Sequence, residues 1–447
     1  MGATITPNLR RGSWLVGTAL LAFGGCLCGG EPMSHDASVA SDSGASEWDA
    51  GPPPMVLTTG CWSAPLVLAP AGEAWAPRLA LLPTGEALVM WSSLERLSAQ
   101  RFMPDGGRGR RVDLDAAPAV DDLVFSANQQ GDAVALWLTS PDGGFEKRLL
   151  ASRLRQDGTW GSIEQIDDGP AMAPRSAVTS NGEIIIVWAV PNTVTGFPSL
   201  RARRFDGVSW LTTETLSPFG WQFGSVELAA ADMAVATWTQ WGPPSFEPVA
   251  TSSLWTERTR RDRIIKAPRI VDTLGIDALA STAERAVSSL ANSSTEFELH
   301  RFADDTWQLG PRVLRTDEAI PLAGVDAEGR LTVWSTTTSA TGTTLIATTE
   351  RDGGWSLPRE VSTQPEPIRF IISASNSLGS GLVAWSRERT LAIARTEADG
   401  GRLDLIDGLV VVPGRSQPQL AVSSSGARWI LGHLPEAWPR SVLLFCP

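Results

Sequence analysis

Gly131-Asp-Ala-Val-Ala-Leu-Trp137 is a turn residue followed by an apolar run that closes on a tryptophan, and the chain repeats it. The same pattern stands at Gly85-Glu-Ala-Leu-Val-Met-Trp91, Gly182-Glu-Ile-Ile-Ile-Val-Trp188, Asp232-Met-Ala-Val-Ala-Thr-Trp238, Arg330-Leu-Thr-Val-Trp334 and Gly381-Leu-Val-Ala-Trp385. Successive tryptophans are separated by 46, 51, 50, 96 and 51 residues. The gap of 96 is two periods, and a worn copy, Glu284-Arg-Ala-Val-Ser-Ser-Leu290, lies inside it. One more period beyond Trp385 reaches Ala427-Arg-Trp-Ile-Leu-Gly432. The count is eight units, or seven if one worn copy is not a unit.

Each unit extends on both sides of this run. A short apolar stretch precedes it, as in Pro77-Arg-Leu-Ala-Leu, Pro174-Arg-Ser-Ala-Val and Pro418-Gln-Leu-Ala-Val. A stretch ending in Arg and an apolar residue follows, as in Gln100-Arg-Phe102, Ser152-Arg-Leu154 and Arg203-Arg-Phe205. Then an Asp/Gly turn leads to a tryptophan, as in Asp157-Gly-Thr-Trp160, Asp206-Gly-Val-Ser-Trp210 and Asp352-Gly-Gly-Trp355. Apolar and β-branched runs punctuated by Gly, Asp and Asn turns read as four antiparallel strands. Four strands in a period of about 40–50 residues predict an all-β chain, a single β-propeller of about eight four-stranded blades. Tryptophan recurring at one place in every unit reads as packing between blades rather than as a ligand-stacking ring.

The two ends of the repeat complement each other. Cys61-Trp-Ser-Ala-Pro-Leu-Val67 reads as a fourth strand with no unit before it. Arg440-Ser-Val-Leu-Leu-Phe-Cys446 reads as a third strand with nothing after it. The expectation is that strand 61–67 joins the last blade and closes the ring, leaving no open sheet edge at the seam. Cys61 and Cys446 would then lie on adjacent strands, and in an exported protein they would form a disulfide. Such a bond adds on the order of 4–5 kcal/mol in the chain-entropy model, less native strain.

Export is read from the N-terminus. Arg10 and Arg11 precede a short apolar stretch from Trp14 to Phe23, too short to stay as a membrane span. Residues 1–25 are read as a signal peptide, and Ala22-Phe-Gly-Gly-Cys26 resembles a bacterial lipobox, which implies lipidation of Cys26. Residues 26–56 form an acidic Ser/Gly/Pro tether that buries too little apolar surface to fold, and 57–447 hold the propeller. Leu27 after the cysteine resembles outer-membrane lipoproteins, so the expected location is the outer membrane or cell surface, otherwise periplasmic or secreted. Membrane contact would run through the lipid alone, with the protein a monomer.

Chemistry is harder to find. A net charge of −12 argues against nucleic acid as partner. The three histidines, His35, His300 and His433, have no second ligand at metal spacing, so no metal or cofactor is expected. Gly-x-Ser-x-Gly and phosphate-binding glycine loops are missing from the sequence. The pairs Asp121–Asp122 and Asp167–Asp168 read as solvated carboxylates between strands.

The Trp-ended strand and the Asp-Gly-x-Trp turn together resemble the sialidase-like propellers of surface lipoproteins in myxobacteria and related bacteria, over roughly residues 57–447. The resemblance implies the fold. It does not imply the sialidase reaction, which uses a Tyr nucleophile, because this chain has no Tyr.

In such a fold the connections from fourth to first strand and from second to third strand share one face. Here they include the longer segments 189–198, 217–223 and 239–250. These carry aromatics off the repeating positions, of which Phe197, Trp221, Trp241 and Phe246 are the expected binding patch for a glycan or an envelope protein. The sequence thus favours a non-catalytic binding scaffold, with a carbohydrate-active enzyme (hydrolase or lyase) as the alternative. For export, the expected outcome in a native host is a mature N-terminal peptide that begins at a lipid-modified Cys26. Intact-protein and peptide mass analysis checks it, and an unprocessed Met1 would contradict it.

Overall fold

The computed structural model describes residues 61–69, 74–82, 84–93, 96–115, 120–128, 130–140, 146–155, 157–191, 198–217, 222–230, 234–241, 249–256, 259–266, 275–281, 286–291, 296–303, 306–314, 322–325, 331–351, 354–368, 371–375, 381–387, 390–395, 403–407, 418–422, 427–433 and 441–446. Among them the chain is all-β, and its strands group into eight antiparallel sheets. Sheet one is Trp75–Leu81, Ala87–Ser92, Leu97–Phe102 and Val112–Asp115, hydrogen-bonded in that order. Sheets two to five repeat this order with first strands Val120–Ala127, Met172–Val178, Gln222–Ala230 and Gly275–Ser281. Sheets six and seven begin at Leu322–Val325 and Ile371–Ser375, and sheet six carries a fifth strand, Arg359–Gln364, on its third. Sheet eight takes Gln419–Val422, Arg428–His433 and Ser441–Cys446 from the C-terminus and Leu66–Val67 from the N-terminus.

That last strand is shorter than the sequence suggests. Only Leu66 and Val67 pair, with Leu443 and Val442, while Leu68 N donates to Ser441 O at 3.0 Å. Cys61 lies before the strand and is joined to Cys446 by a disulfide with the Cα atoms 5.1 Å apart. Pro65 supplies no N–H and helps to limit the strand at its N-terminal side.

The fourth strands of sheets two and three are broken in a similar way. Trp160 and Trp210 make single bridges to Leu154 and Phe205, and paired strand resumes only at Glu164–Gln165 and Glu214–Thr215. The turn residues explain the break. Asp157 accepts from the Thr159 N–H at 2.8 Å, and Gly161 N reaches back to Arg153 O at 2.8 Å.

The core sits between sheets, because the second strands are apolar on both faces. Ala87–Ser92 and Ala133–Thr139 are buried along their whole length. Apolar clusters join sheet one to two through Met90 and Trp137, two to three through Leu136 and Trp188, and three to four through Val187 and Trp238. Others join six to seven through Trp334 and Trp385, and seven to eight through Leu391 and Ile430. Sheets eight and one share a cluster as well, in which Trp91 and Val89 meet Trp429 and Leu443. The repeating second-strand tryptophans Trp91, Trp137, Trp188, Trp238, Trp385 and Trp429 are fully buried in this packing.

Polar links reinforce the stack. The Trp137 indole N–H donates to Asp115 Oδ2 at 3.2 Å, Trp188 to Asp167 Oδ2 at 3.0 Å and Trp385 to Gln364 Oε1 at 3.2 Å. In each case the acceptor closes the outer strand of the preceding sheet or follows it, so burial of the ring leaves its polar tip satisfied. Asp167 also accepts from Arg201 at 2.9 Å, which makes it a structural anion.

The recurring third-strand arginines span the opposite end. Arg101 donates to Gly158 O of the next sheet at 3.2 Å, and Arg153 lies 3.8 Å over the Phe205 ring. Gly158 has φ +80°, and a Cβ there would stand 2.3 Å from Arg101 Nη2. Gly158→Ala should therefore destabilise the protein by at least about 1 kcal/mol, through the left-handed backbone and the displaced guanidinium together. Urea denaturation followed by tryptophan fluorescence checks this, and an unchanged midpoint would contradict it.

Candidate functional site

The first strands of successive sheets run side by side. The Ser126 hydroxyl meets Ser176 O and Oγ at 2.8 Å, tying sheet two to sheet three. Gln419 of sheet eight accepts from Leu79 N and donates to Pro77 O of sheet one, both at 2.9 Å. These strands start where second strands end, since Trp75 pairs with Ser92, Val120 with Thr139 and Met172 with Ala189. Their N-terminal ends therefore share a face with the connections from second to third strand.

Close to that end each of three strands carries the same irregularity. Register shifts lie between Trp75 and Arg78, Asp121 and Val124, and Met172 and Arg175. Inside each shift one non-glycine residue has positive φ: Ala76 at 44°, Asp122 at 46° and Ala173 at 46°. Sheet four has its shift between Phe223 and Val226, with Gly224 at the corresponding place. A bulge bends the strand and re-aims the side chains that follow it. A left-handed non-glycine residue costs on the order of 1 kcal/mol or more and persists only where its surroundings hold it. Asp122 suits the position better than most, since Asp tolerates this conformation.

Arg78 and Arg175 follow two of these bulges, and Asp122 sits inside the third. Arg78 is half-buried and clasps the next sheet, its Nε donating to Leu123 O at 2.7 Å and its Nη1 to Pro77 O at 3.1 Å. Burial holds the Arg78 guanidinium below its usual value; the Asp122 carboxylate opposes that shift and the Arg175 charge adds to it. Arg175 is half-buried and donates to Pro174 O at 3.1 Å. Asp122 is exposed. Arg78 on sheet one thus lies within coulombic reach of both the Asp122 carboxylate on sheet two and the Arg175 guanidinium on sheet three. The chain's overall charge is negative, yet this cluster carries more positive than negative charge. Guanidinium forks are suited to carboxylates and sulfates.

The aromatic patch expected from the sequence falls mostly outside the described residues. Phe197, Trp221 and Phe246 lie outside them. Trp241 ends the second strand of sheet four and pairs with Gln222, so it belongs to a strand rather than a loop. The two acidic pairs also part company. Asp121–Asp122 lies within the first strand of sheet two, while Asp167 anchors Trp188 and Arg201. Arg78 and Arg175 were visible as the repeated Pro-Arg dipeptide, but the dipeptide marked only the start of a strand. Among the described residues no group of three or more metal-ligating side chains occurs.

No protein-family model matches the chain, and no curated protein matches it either. Solved structures do show likeness. An ulvan lyase of a polysaccharide lyase family is 8% identical with a TM-score of 0.46, over 85% of this chain and 95% of that one. A sialidase from Streptococcus pneumoniae is 8% identical at 0.36, over 84% and 93%. An α-L-arabinanase from Penicillium chrysogenum is 13% identical at 0.35, over 79% and 98%. At these identities and scores none of the likenesses carries a residue or an activity over to this chain.

The contacts assign different weights to the two arginines. Arg78→Ala should cost about 1–3 kcal/mol, because it strips a charged donor from a carbonyl of the neighbouring sheet. Arg175→Ala should change stability by less than about 0.5 kcal/mol, since its side-chain hydrogen bond goes to its own strand. Paired urea titrations separate them, and equal losses would contradict the assignment.

Proposed function

We propose that this chain is an exported carbohydrate-active protein that engages an anionic polysaccharide at the Arg78–Asp122–Arg175 cluster. The eight sheets are taken as eight blades of one closed propeller, with sheet eight completed by Leu66–Val67. In that arrangement the first strands line the central channel and the cluster stands at its mouth. The lipid on Cys26 and the tether 26–56 hold the propeller at the outer membrane or cell surface, within reach of envelope or environmental glycans.

One observation carries the reading. Bulges at equivalent places on three neighbouring strands, two of them with an arginine just after, bring like charges together. Arg78 is partly spent as a clasp, whereas Arg175 is bonded only to the residue before it and is the principal reader of a sugar carboxylate or sulfate. Asp122, exposed between them, supplies a carboxylate able to accept a proton from a bound sugar. This favours a carbohydrate-active role over a passive scaffold, with the scaffold retained as the case in which binding occurs without turnover.

Binding to a polyuronate and to a sulfated polysaccharide, each compared with neutral dextran, tests the reading. The expected result is binding of an acidic polymer that weakens with salt and falls about tenfold or more in Arg175→Ala. Turnover, followed as unsaturated-uronate absorbance or new reducing ends, is expected to fail in Asp122→Asn while binding remains. Equal affinity for neutral and acidic polymers would overturn the proposal.

A further inference from the structure

The disulfide that joins the chain ends is chemically lopsided. Cys446 is buried, at 1% exposure, in an apolar cluster with Trp62, Val442 and Leu444, whereas Cys61 packs at its edge and is partly exposed. Arg428 pairs directly with Cys446 across the second and third strands of sheet eight. Its side chain is buried too, with Nη1 4.0 Å from Cys446 Sγ. A buried guanidinium in that place favours negative charge on the Cys446 sulfur and offsets what its apolar surroundings would otherwise cost. Cys61 is therefore the less buried half of the bond.

We propose that Cys61 is a thiol-exchange site that accepts a low-molecular-weight thiol, with Cys446 as the built-in leaving group. An external thiolate attacks Cys61 Sγ and forms a mixed disulfide there. The Cys61–Cys446 bond breaks, and its electron pair leaves on Cys446 Sγ as a thiolate beside Arg428. No net oxidant is consumed, since one disulfide replaces another. Return of the Cys446 thiolate onto Cys61 expels the small thiol and restores the bond. Exchange is faster when the leaving thiol has the lower pKa, and it selects the accessible sulfur, so both features direct attack to Cys61. The strand Leu66–Val67 and the bond from Leu68 N to Ser441 O hold the N-terminal segment on sheet eight through other contacts, so opening the latch does not require the sheet to come apart. The inference is independent of the carbohydrate reading.

The test treats the oxidised full chain with glutathione under native conditions, quenches with N-ethylmaleimide and maps the peptides by mass. The expected pattern is glutathione on Cys61 and maleimide on Cys446. Arg428→Gln is expected to slow adduct formation about tenfold, with Arg428→Lys closer to the parent. Glutathione found mainly on Cys446, or evenly on both, would overturn the proposal in the parent protein alone, whatever the variants do. A folded Arg428→Gln protein that reacts at the parent rate would overturn the role of the guanidinium.

Discussion

Among the described residues, second strands such as Ala87–Ser92 and Ala133–Thr139 are apolar on two faces, and neither face can be left to water. Burial between neighbours is the constraint from which the rest follows. The second strands of sheets two and three bear it heavily, with Trp137 and Trp188 fully enclosed and their indole N–H groups satisfied on the preceding sheet. A large ring buried at this place removes on the order of several kcal/mol worth of apolar surface from water, which far exceeds any single turn or ion pair in the fold. Stacking also explains the ends. Sheets one and eight each have a face to cover, and the cluster of Trp91 with Trp429 covers both.

Stacking the sheets brings the first strands together, and that convergence creates the candidate site. Strand geometry alone would turn successive side chains alternately to one side and the other. The bulges at Ala76, Asp122 and Ala173 interrupt that alternation at the start of the strand, so Arg78 and Arg175 are placed by a backbone irregularity held in the packed assembly. The cost in backbone strain and like-charge proximity is a local departure from what stability favours. Such departures are expected where a surface is shaped for a ligand.

Much of the architecture was legible in the sequence because it depends on periodic signals. The Trp-ended run gave the second strands, including the worn copies at Ala286–Ala291 and Arg428–His433, and the Asp-Gly turns gave the hairpins. The complementary ends pointed to the N-terminal strand beside Ser441–Cys446 and to the Cys61–Cys446 disulfide. Pro65 and the apolar residues after it did not reveal how short that strand would be. The cluster was not legible for a different reason. Asp122 looked like a turn carboxylate, and a bulge leaves no periodic trace in the sequence. Likewise Asp167 differs from Asp122 only through what its sheet neighbours offer, Trp188 and Arg201. Long-range partners of this kind are set by stacking and not by local pattern.

The central claim is that the stack of sheets closes on itself between the last and the first. Hydrogen–deuterium exchange of the oxidised full chain, read peptide by peptide, tests it most directly. Closure predicts that the seam strands Trp75–Leu81 and Arg428–His433 exchange as slowly as Ala133–Thr139 and Ile184–Val190 in the interior of the stack. Seam strands that exchange at the rate of an open sheet face, while the interior stays protected, would contradict it.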